Sequence, residues 1–226
     1  MIVVFDIETI PTQREDVRIH LAKNIKPPKT IKKAETLEKW EKEEKPQAIF
    51  DEIDKTGLNG AFGEIISIAV AIDDKEPVVF FEENWQSPTR ESDILTKFFN
   101  YIRAHFNKGT DIPPVFVGHN LINFDLRFVY QRAVINGVKP FVFFPIHAKA
   151  WDKCVFDTMT EFAGYNNRIS MNDLCLALGI DGKGDDIDGS KVWDFVQQGK
   201  IAEVAEYNKA DVVRTRAIYN RMTFKG

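Results

Sequence analysis

Asp6 and Glu8 stand two residues apart, closing the apolar run Ile2-Val3-Val4-Phe5. In an extended strand residues i and i+2 share a face, so both carboxylates project the same way. Alone, such a pair is read more simply as the first polar residues of a loop. Towards the other end, Tyr207 and Asp211 are four apart, which puts a phenol and a carboxylate on one face of a helix. In isolation they read as a half-buried tyrosine beside a solvated aspartate. Asp125 follows the loop Gly118-His119-Asn120-Leu121-Ile122-Asn123-Phe124 and precedes a helical pattern. Its simplest role there is to cap free backbone N–H groups, with no metal needed. The ordered combination carries more weight than its parts. DxE on a first strand, NxxxFD at a strand-to-helix junction and YxxxD on the last helix seldom arise together by chance.

Carboxylates that converge raise one another's pKa values unless cations compensate them. A site shared by these acids therefore calls for metal, and oxygen ligands without a histidine or cysteine set favour Mg²⁺ or Mn²⁺.

The three motifs resemble those of the DEDD exonucleases of the ribonuclease-H-like superfamily. The resemblance is to the tyrosine-containing (DEDDy) subgroup that includes the proofreading domains of family B DNA polymerases, and it covers nearly the whole chain. It implies an α/β fold, a mixed central sheet flanked by helices, that hydrolyses phosphodiester bonds from the 3′ end and releases nucleoside 5′-monophosphates. By this resemblance Asp6, Glu8, Asp125 and Asp211 hold two divalent metal ions, Mg²⁺ or Mn²⁺. Asp6, Glu8 and Asp211 serve the ion that carries the attacking water; Asp6 bridges to the second ion, which Asp125 supports. Tyr207 orients the water rather than abstracting its proton, since a phenol hydrogen-bonds without adding fixed charge. Asn120 and Phe124 contact the terminal nucleotides, although Phe124 reads equally as ordinary core. Thr9 positions the 3′-terminal nucleotide or packs the strand end; His119 touches substrate or makes structural hydrogen bonds. Single-stranded DNA is the favoured substrate. RNA stays open, because only contacts to the 2′-hydroxyl separate the two and no residue here decides it. A non-catalytic nucleic-acid-binding domain of the same fold is the alternative from another class.

The elements that must position these residues follow from patterning. Residues 2–5 read as a buried strand that Pro11 brings to an end. From Pro11 to about Phe62 the chain turns lysine- and glutamate-rich and reads as an insertion with helical parts, ordered only in part. Its lysines 23, 26, 29, 32 and 33 suit a flap that guides a strand, but glutamates 35, 38, 41, 43 and 44 offset that charge. Residues 65–72 and 78–81 read as a hairpin, 91–106 as an amphipathic helix, and 115–117 as a further strand. Helices are expected over 126–136, 171–178, 192–198 and 201–222.

At 226 residues and 44% apolar composition, the chain is long enough for one sizeable core, and a single domain over 1–226 is expected. Cys154 and Cys175 form no CxxC pair, so neither a disulfide framework nor a zinc site is indicated. Without a leader or membrane span, a cytoplasmic protein is expected. A net charge of −4 argues against indiscriminate binding to nucleic acid, while a local basic surface is still compatible with it. The stretch 181–189 fails as a calcium loop because Lys183 and Val192 occupy ligand positions, and it reads as a polar turn. The glycines at 179, 182 and 184 do not form a dinucleotide motif.

Overall fold

The structure, a computed structural model, describes residues 1–109, 112–182 and 187–225. It begins with β1 (Ile2–Ile10), then α1 (Glu15–Asn24), α2 (Ala34–Glu43), α3 (Lys45–Asp54) and a 3₁₀ turn at Lys55–Leu58. The hairpin β2 (Glu64–Ile72) and β3 (Val78–Phe81) precedes α4 (Arg90–His105), β4 (Val115–Gly118) and α5 (Asp125–Ile135). Last come β5 (Val155–Asp157), α6 (Thr158–Ala163), α7 (Met171–Leu178), α8 (Val192–Gln197) and α9 (Ile201–Met222).

The strands form one mixed sheet in the order β3-β2-β1-β4-β5, with β1 in the middle. β1 runs antiparallel to β2 and parallel to β4, and β5 runs parallel to β4. Both faces are covered, which is why β2 is buried along its whole length instead of alternating. On one face Val3, Phe5 and Ile7 meet α4 and α5, and Phe5 lies 5.3 Å from Phe98 between ring centroids. Replacing Phe98 by alanine in so closed a cluster costs about 3–5 kcal/mol. On the other face Val4 packs on Val212 and Tyr219 of α9, beside Ala69 and Ala71 of β2. Those two small residues let the helix approach the sheet closely.

The first strand carries Asp6 and Glu8 and ends before Pro11, as the sequence predicts. Its ladder with β2 continues to Ile10 opposite Glu64, with an irregularity between Glu8 and Thr9, so the partner strand holds β1 extended up to Pro11. Not every element follows the sequence pattern. The chain forms β5 and α6 where the sequence pattern predicts neither; the strand has only three residues and offers too short a pattern. Asp157 caps α6 by accepting from the amides of Met159 at 3.1 Å and Thr160 at 3.4 Å. The insertion has the helical parts expected of it, α1, α2 and α3. Its surface is laced with exposed i,i+4 pairs such as Lys42–Glu38 at 2.7 Å, each worth about 0.3–0.5 kcal/mol.

The end of the insertion is tied to β1. Thr9 Oγ1 donates to the Gly57 carbonyl at 2.6 Å, and the Thr12 amide donates to Thr56 Oγ1 at 2.8 Å. Gly63 is required where the chain passes Thr56, because a Cβ would stand 2.2 Å from its carbonyl oxygen. The polar turn expected at 181–189 falls partly on residues 183–186, outside the described residues. No helix among the described residues is long and apolar enough to cross a membrane.

Candidate active site

Asp6 and Glu8 continue the face of β1 that Val4 turns towards α9, and apolar side chains bracket them on that face. Beyond them, Ile10 packs with Val196 of α8 and with Ile201 and Val204 of α9. α9 crosses this face and brings Asp211 to the pair. One carboxylate oxygen from each of Asp6, Glu8 and Asp211 lies within 4.8 Å of the other two. Glu8 is 8% exposed and Asp211 4%, so this is a concentration of negative charge in a mostly dry setting.

Several protein groups answer that charge. Asn208 Nδ2 donates to Asp6 Oδ2 at 2.6 Å, while its own Oδ1 accepts from Ser67 Oγ at 3.1 Å. Ser67 stands opposite Glu8 in the β1–β2 ladder, so the chain of bonds crosses from β2 through α9 to β1. Arg214, one turn beyond Asp211, places Nη1 at 2.5 Å from Asp211 Oδ1. The Tyr207 phenol stands one turn of α9 before Asp211 and feels its carboxylate. Burial, and then the charges of Asp211, Glu8 and Asp6, push its pKa well above the usual value for tyrosine. The phenol is therefore neutral and a donor at physiological pH.

Asp125 lies outside the three-carboxylate group. It is the first residue of α5, and it does not cap that helix as its position suggested: Phe124 is the N-cap, with no side-chain capping bond. Instead Asp125 Oδ1 accepts from the Ile7 amide at 3.2 Å. β4 pairs with β1 only up to Val4 and ends at Gly118, so the Ile7 amide has lost its strand neighbour and the aspartate replaces it. Burial pushes the Asp125 carboxyl up to about 8, partly opposed by backbone N–H donors and reinforced by the charge of Asp157.

The other expected contact residues surround the loop between β4 and α5. The imidazole of His119 is engaged on both sides, with Thr158 Oγ1 and the Ile169 carbonyl each at 3.0 Å. Asn120 holds a left-handed conformation, φ 62°, and its amide donates to Asp157 Oδ1 at 3.0 Å. Phe124 is half-buried and packs on Phe128 with centroids 5.4 Å apart. Thr9 directs its hydroxyl proton to Gly57. Gly118 is needed at the start of this loop, since a Cβ would meet Leu121 Cδ1 at 2.8 Å.

Sequence reasoning passed over Asn208, Arg214 and Asp157. Asn208 had a signal: it falls on the stripe 201, 204, 205, 208, 211, 212, 215 that is buried along α9, where an amide is out of place without a polar partner.

The sheet order and its helical layers define the ribonuclease-H-like α/β class. A family model described as a predicted 3′-5′ exonuclease related to the exonuclease domain of PolB matches residues 57–226. The chain belongs to this family of exonucleases. The matched span contains Asp125, Tyr207 and Asp211 and begins after Asp6 and Glu8, which the β1–β2 pairing and α9 bring to Asp211. Among solved structures, the family B DNA polymerase from the hyperthermophilic archaeon Pyrobaculum calidifontis aligns with a TM-score of 0.61 at 14% identity. The alignment covers 98% of this chain and 24% of the polymerase, a likeness of fold. No curated protein matches the chain by sequence.

Proposed function

We propose that this protein is a DEDDy-type exonuclease that removes nucleotides from the 3′ end of single-stranded DNA and releases nucleoside 5′-monophosphates with the help of two divalent ions. The observation that carries the reading is the meeting of Asp6, Glu8 and Asp211 from the two ends of the chain.

The residues fit such ions. Three carboxylates within 4.8 Å of one another supply the oxygen donors that hard, oxygen-seeking Mg²⁺ or Mn²⁺ prefers. Asp6, Glu8 and Asp211 would hold one ion and Asp6 with Asp125 the other. When bound, the ions neutralise the scissile phosphate, acidify the attacking water and stabilise the departing 3′ oxygen.

The chain's own groups set the geometry of attack. Tyr207 keeps its proton, so its hydroxyl aims a water by hydrogen bonding and leaves proton acceptance to others. Asn208 holds Asp6 in one rotamer, and Asp125 anchors the backbone of β1 at Ile7. Asn120 and Phe124, in the loop that Asp157 braces, contact the terminal nucleotides. A stacked ring accepts any base, which suits removal of successive nucleotides regardless of sequence.

The deciding experiment is digestion of 3′-labelled and 5′-labelled single-stranded DNA, duplex DNA and RNA with Mg²⁺ or Mn²⁺, alongside Asp6→Ala and Asp211→Ala. Stepwise loss from the 3′ end of single-stranded DNA, abolished by either substitution, is expected. Faster loss from RNA would reassign the substrate, and no metal-dependent cleavage of any substrate would overturn the reading.

A further inference from the structure

A groove runs along the outer side of the β4–α5 loop. Two adjoining cavities, of about 470 and 260 Å³, share Ile122, Asn123 and Ala148 and together extend from Arg127 to Arg168. Among the described residues, their linings include the cations Arg127, Lys149 and Arg168 and no carboxylate, although the whole chain carries a net charge of −4. The groove is thus positive although the chain as a whole is acidic.

Two large aromatic rings stand open to water on this groove. Trp151 is 71% exposed and Tyr165 72%. Each sits on a short, hydrogen-bonded turn. The Lys149 amide donates to Asp152 Oδ2, and the Asp152 amide returns to the Lys149 carbonyl, both at 2.9 Å. This turn sets the Lys149 ammonium 5.4 Å from the Trp151 ring centroid. Tyr165 lies between two left-handed residues, Gly164 at φ 86° and Asn166 at φ 65°, with the Asn167 amide bonded to the Gly164 carbonyl at 3.1 Å. Such turns fix the backbone that carries the rings without burying them, an arrangement that lowers the entropic cost of stacking.

The strand register places this groove beside the acids. β5 ends at Asp157 opposite Gly118, and β4 runs parallel to β1, so the segments beyond Gly118 and Asp157 leave from the end of the sheet where Asp6 stands. We propose that Trp151 and Tyr165 form a base-stacking platform for single-stranded nucleic acid, upstream of its 3′ terminus, with Lys149, Arg168 and Arg127 meeting its phosphates. The proposal rests on the exonuclease reading above and extends it from the reacting end to the strand behind it. Unpaired bases are the fitting occupant because exposed rings stack on any base and duplex bases offer no free face.

The test is fluorescence anisotropy of 5′-labelled oligo-dT in EDTA, with a trimer, a dodecamer and a duplex dodecamer. It uses the parent, Trp151→Ala, Tyr165→Ala and the conservative Trp151→Phe and Tyr165→Phe. The dodecamer is expected to bind the parent more tightly than either the trimer or the duplex. Each alanine variant should weaken dodecamer binding by about 5- to 100-fold, with much of the affinity regained by phenylalanine. Both positions are exposed, so the variants retain the core. Alanine variants that bind the dodecamer as tightly as the parent, or a parent that prefers duplex, would overturn the proposal. Metal-dependent cleavage by the same parent preparation is read separately. Stacking without cleavage would remove the exonuclease reading and leave a strand-binding groove, whereas cleavage with intact binding in the alanine variants would remove the platform alone.

Discussion

Asn208 Nδ2 and Asp6 Oδ2 are 2.6 Å apart although 202 residues separate them in the chain. The amide is fully buried, and its oxygen is occupied by Ser67 Oγ. It therefore has one orientation, nitrogen towards the carboxylate, and it fixes the rotamer of an acid that must face both Glu8 and Asp211. α9 thus contributes more than its own carboxylate: it holds the carboxylate of the central strand.

Asn208→Ala should uncouple that arrangement. The change leaves Ser67 Oγ without this acceptor and Asp6 without this donor, at a cost of about 1–3 kcal/mol. A lower melting temperature is expected, with the metal-dependent rate reduced by about 10-fold or more while the oligonucleotide still binds. Calorimetry and a nuclease time course read the two effects separately. An unchanged rate would show that Asp6 needs no support from α9.

Arg214 bears on the same cluster from the other side. It lies 2.5 Å from Asp211 with little of either side chain exposed, 14% and 5%. Arg214→Gln removes the cation and leaves the three acids to repel one another, at a cost of about 1–3 kcal/mol in metal-free protein. Added Mg²⁺ or Mn²⁺ then restores more than it does in the parent, because it supplies the missing charge to the native state alone. Melting curves with EDTA and with Mg²⁺ should show a larger metal-induced rise in the variant. An equal rise in both proteins would mean that Arg214 does not offset the acids.

What could be read in the sequence was what has a period or a fixed spacing. The hairpin at 65–81, the helix containing Ile94, Leu95 and Phe98, and the long last helix all announce themselves through alternation or through i, i+3, i+4 apolar positions. The acids at 6, 8 and 211 were visible as motifs, but their meeting depends on a sheet pairing and a helix crossing that no local pattern encodes. The bond from Asp125 to β1 was hidden for the same reason. A helix-capping aspartate and one that bonds a distant strand look alike until it is known that β4 ends at Gly118 and leaves the Ile7 amide open. β5 was missed because three residues carry no measurable alternation, and with it went Asp157.

Asp157 is a brace for the loop that carries Asn120 and Phe124. Its carboxylate accepts from the amides of Asn120 and Ile122, each at 3.0 Å, besides the two it caps in α6. Asp157→Ala abandons four amides and should cost about 2–4 kcal/mol. Asp157→Asn keeps one oxygen acceptor and should cost less. Since the loop would loosen while Asp6, Glu8 and Asp211 stay in place, KM for an oligonucleotide should rise more than kcat falls. Steady-state kinetics on the asparagine variant, which has the better prospect of folding, checks the split; a change in kcat alone would argue against the brace.

Asp125 makes the metal-free protein sensitive to pH. Burial holds its carboxyl at about 8 in the native state, against an ordinary value of 3.8. Between those values the native protein keeps a proton that the unfolded chain has released. Unfolding then releases a proton, and raising the pH favours the unfolded state. The contribution of Asp125 to stability is accordingly greatest below about 4, declines as pH rises and levels off above about 8. Asp125→Asn keeps an oxygen for the Ile7 amide and carries no charge in either state, so it lacks this slope. In EDTA the variant should gain on the parent steadily from about pH 4 to about pH 8, as followed by urea denaturation. Saturating Mg²⁺ should narrow the gap by compensating the ionised carboxylate. A difference between the two proteins that stays constant across that range would mean that Asp125 is already ionised in the folded protein at acidic pH.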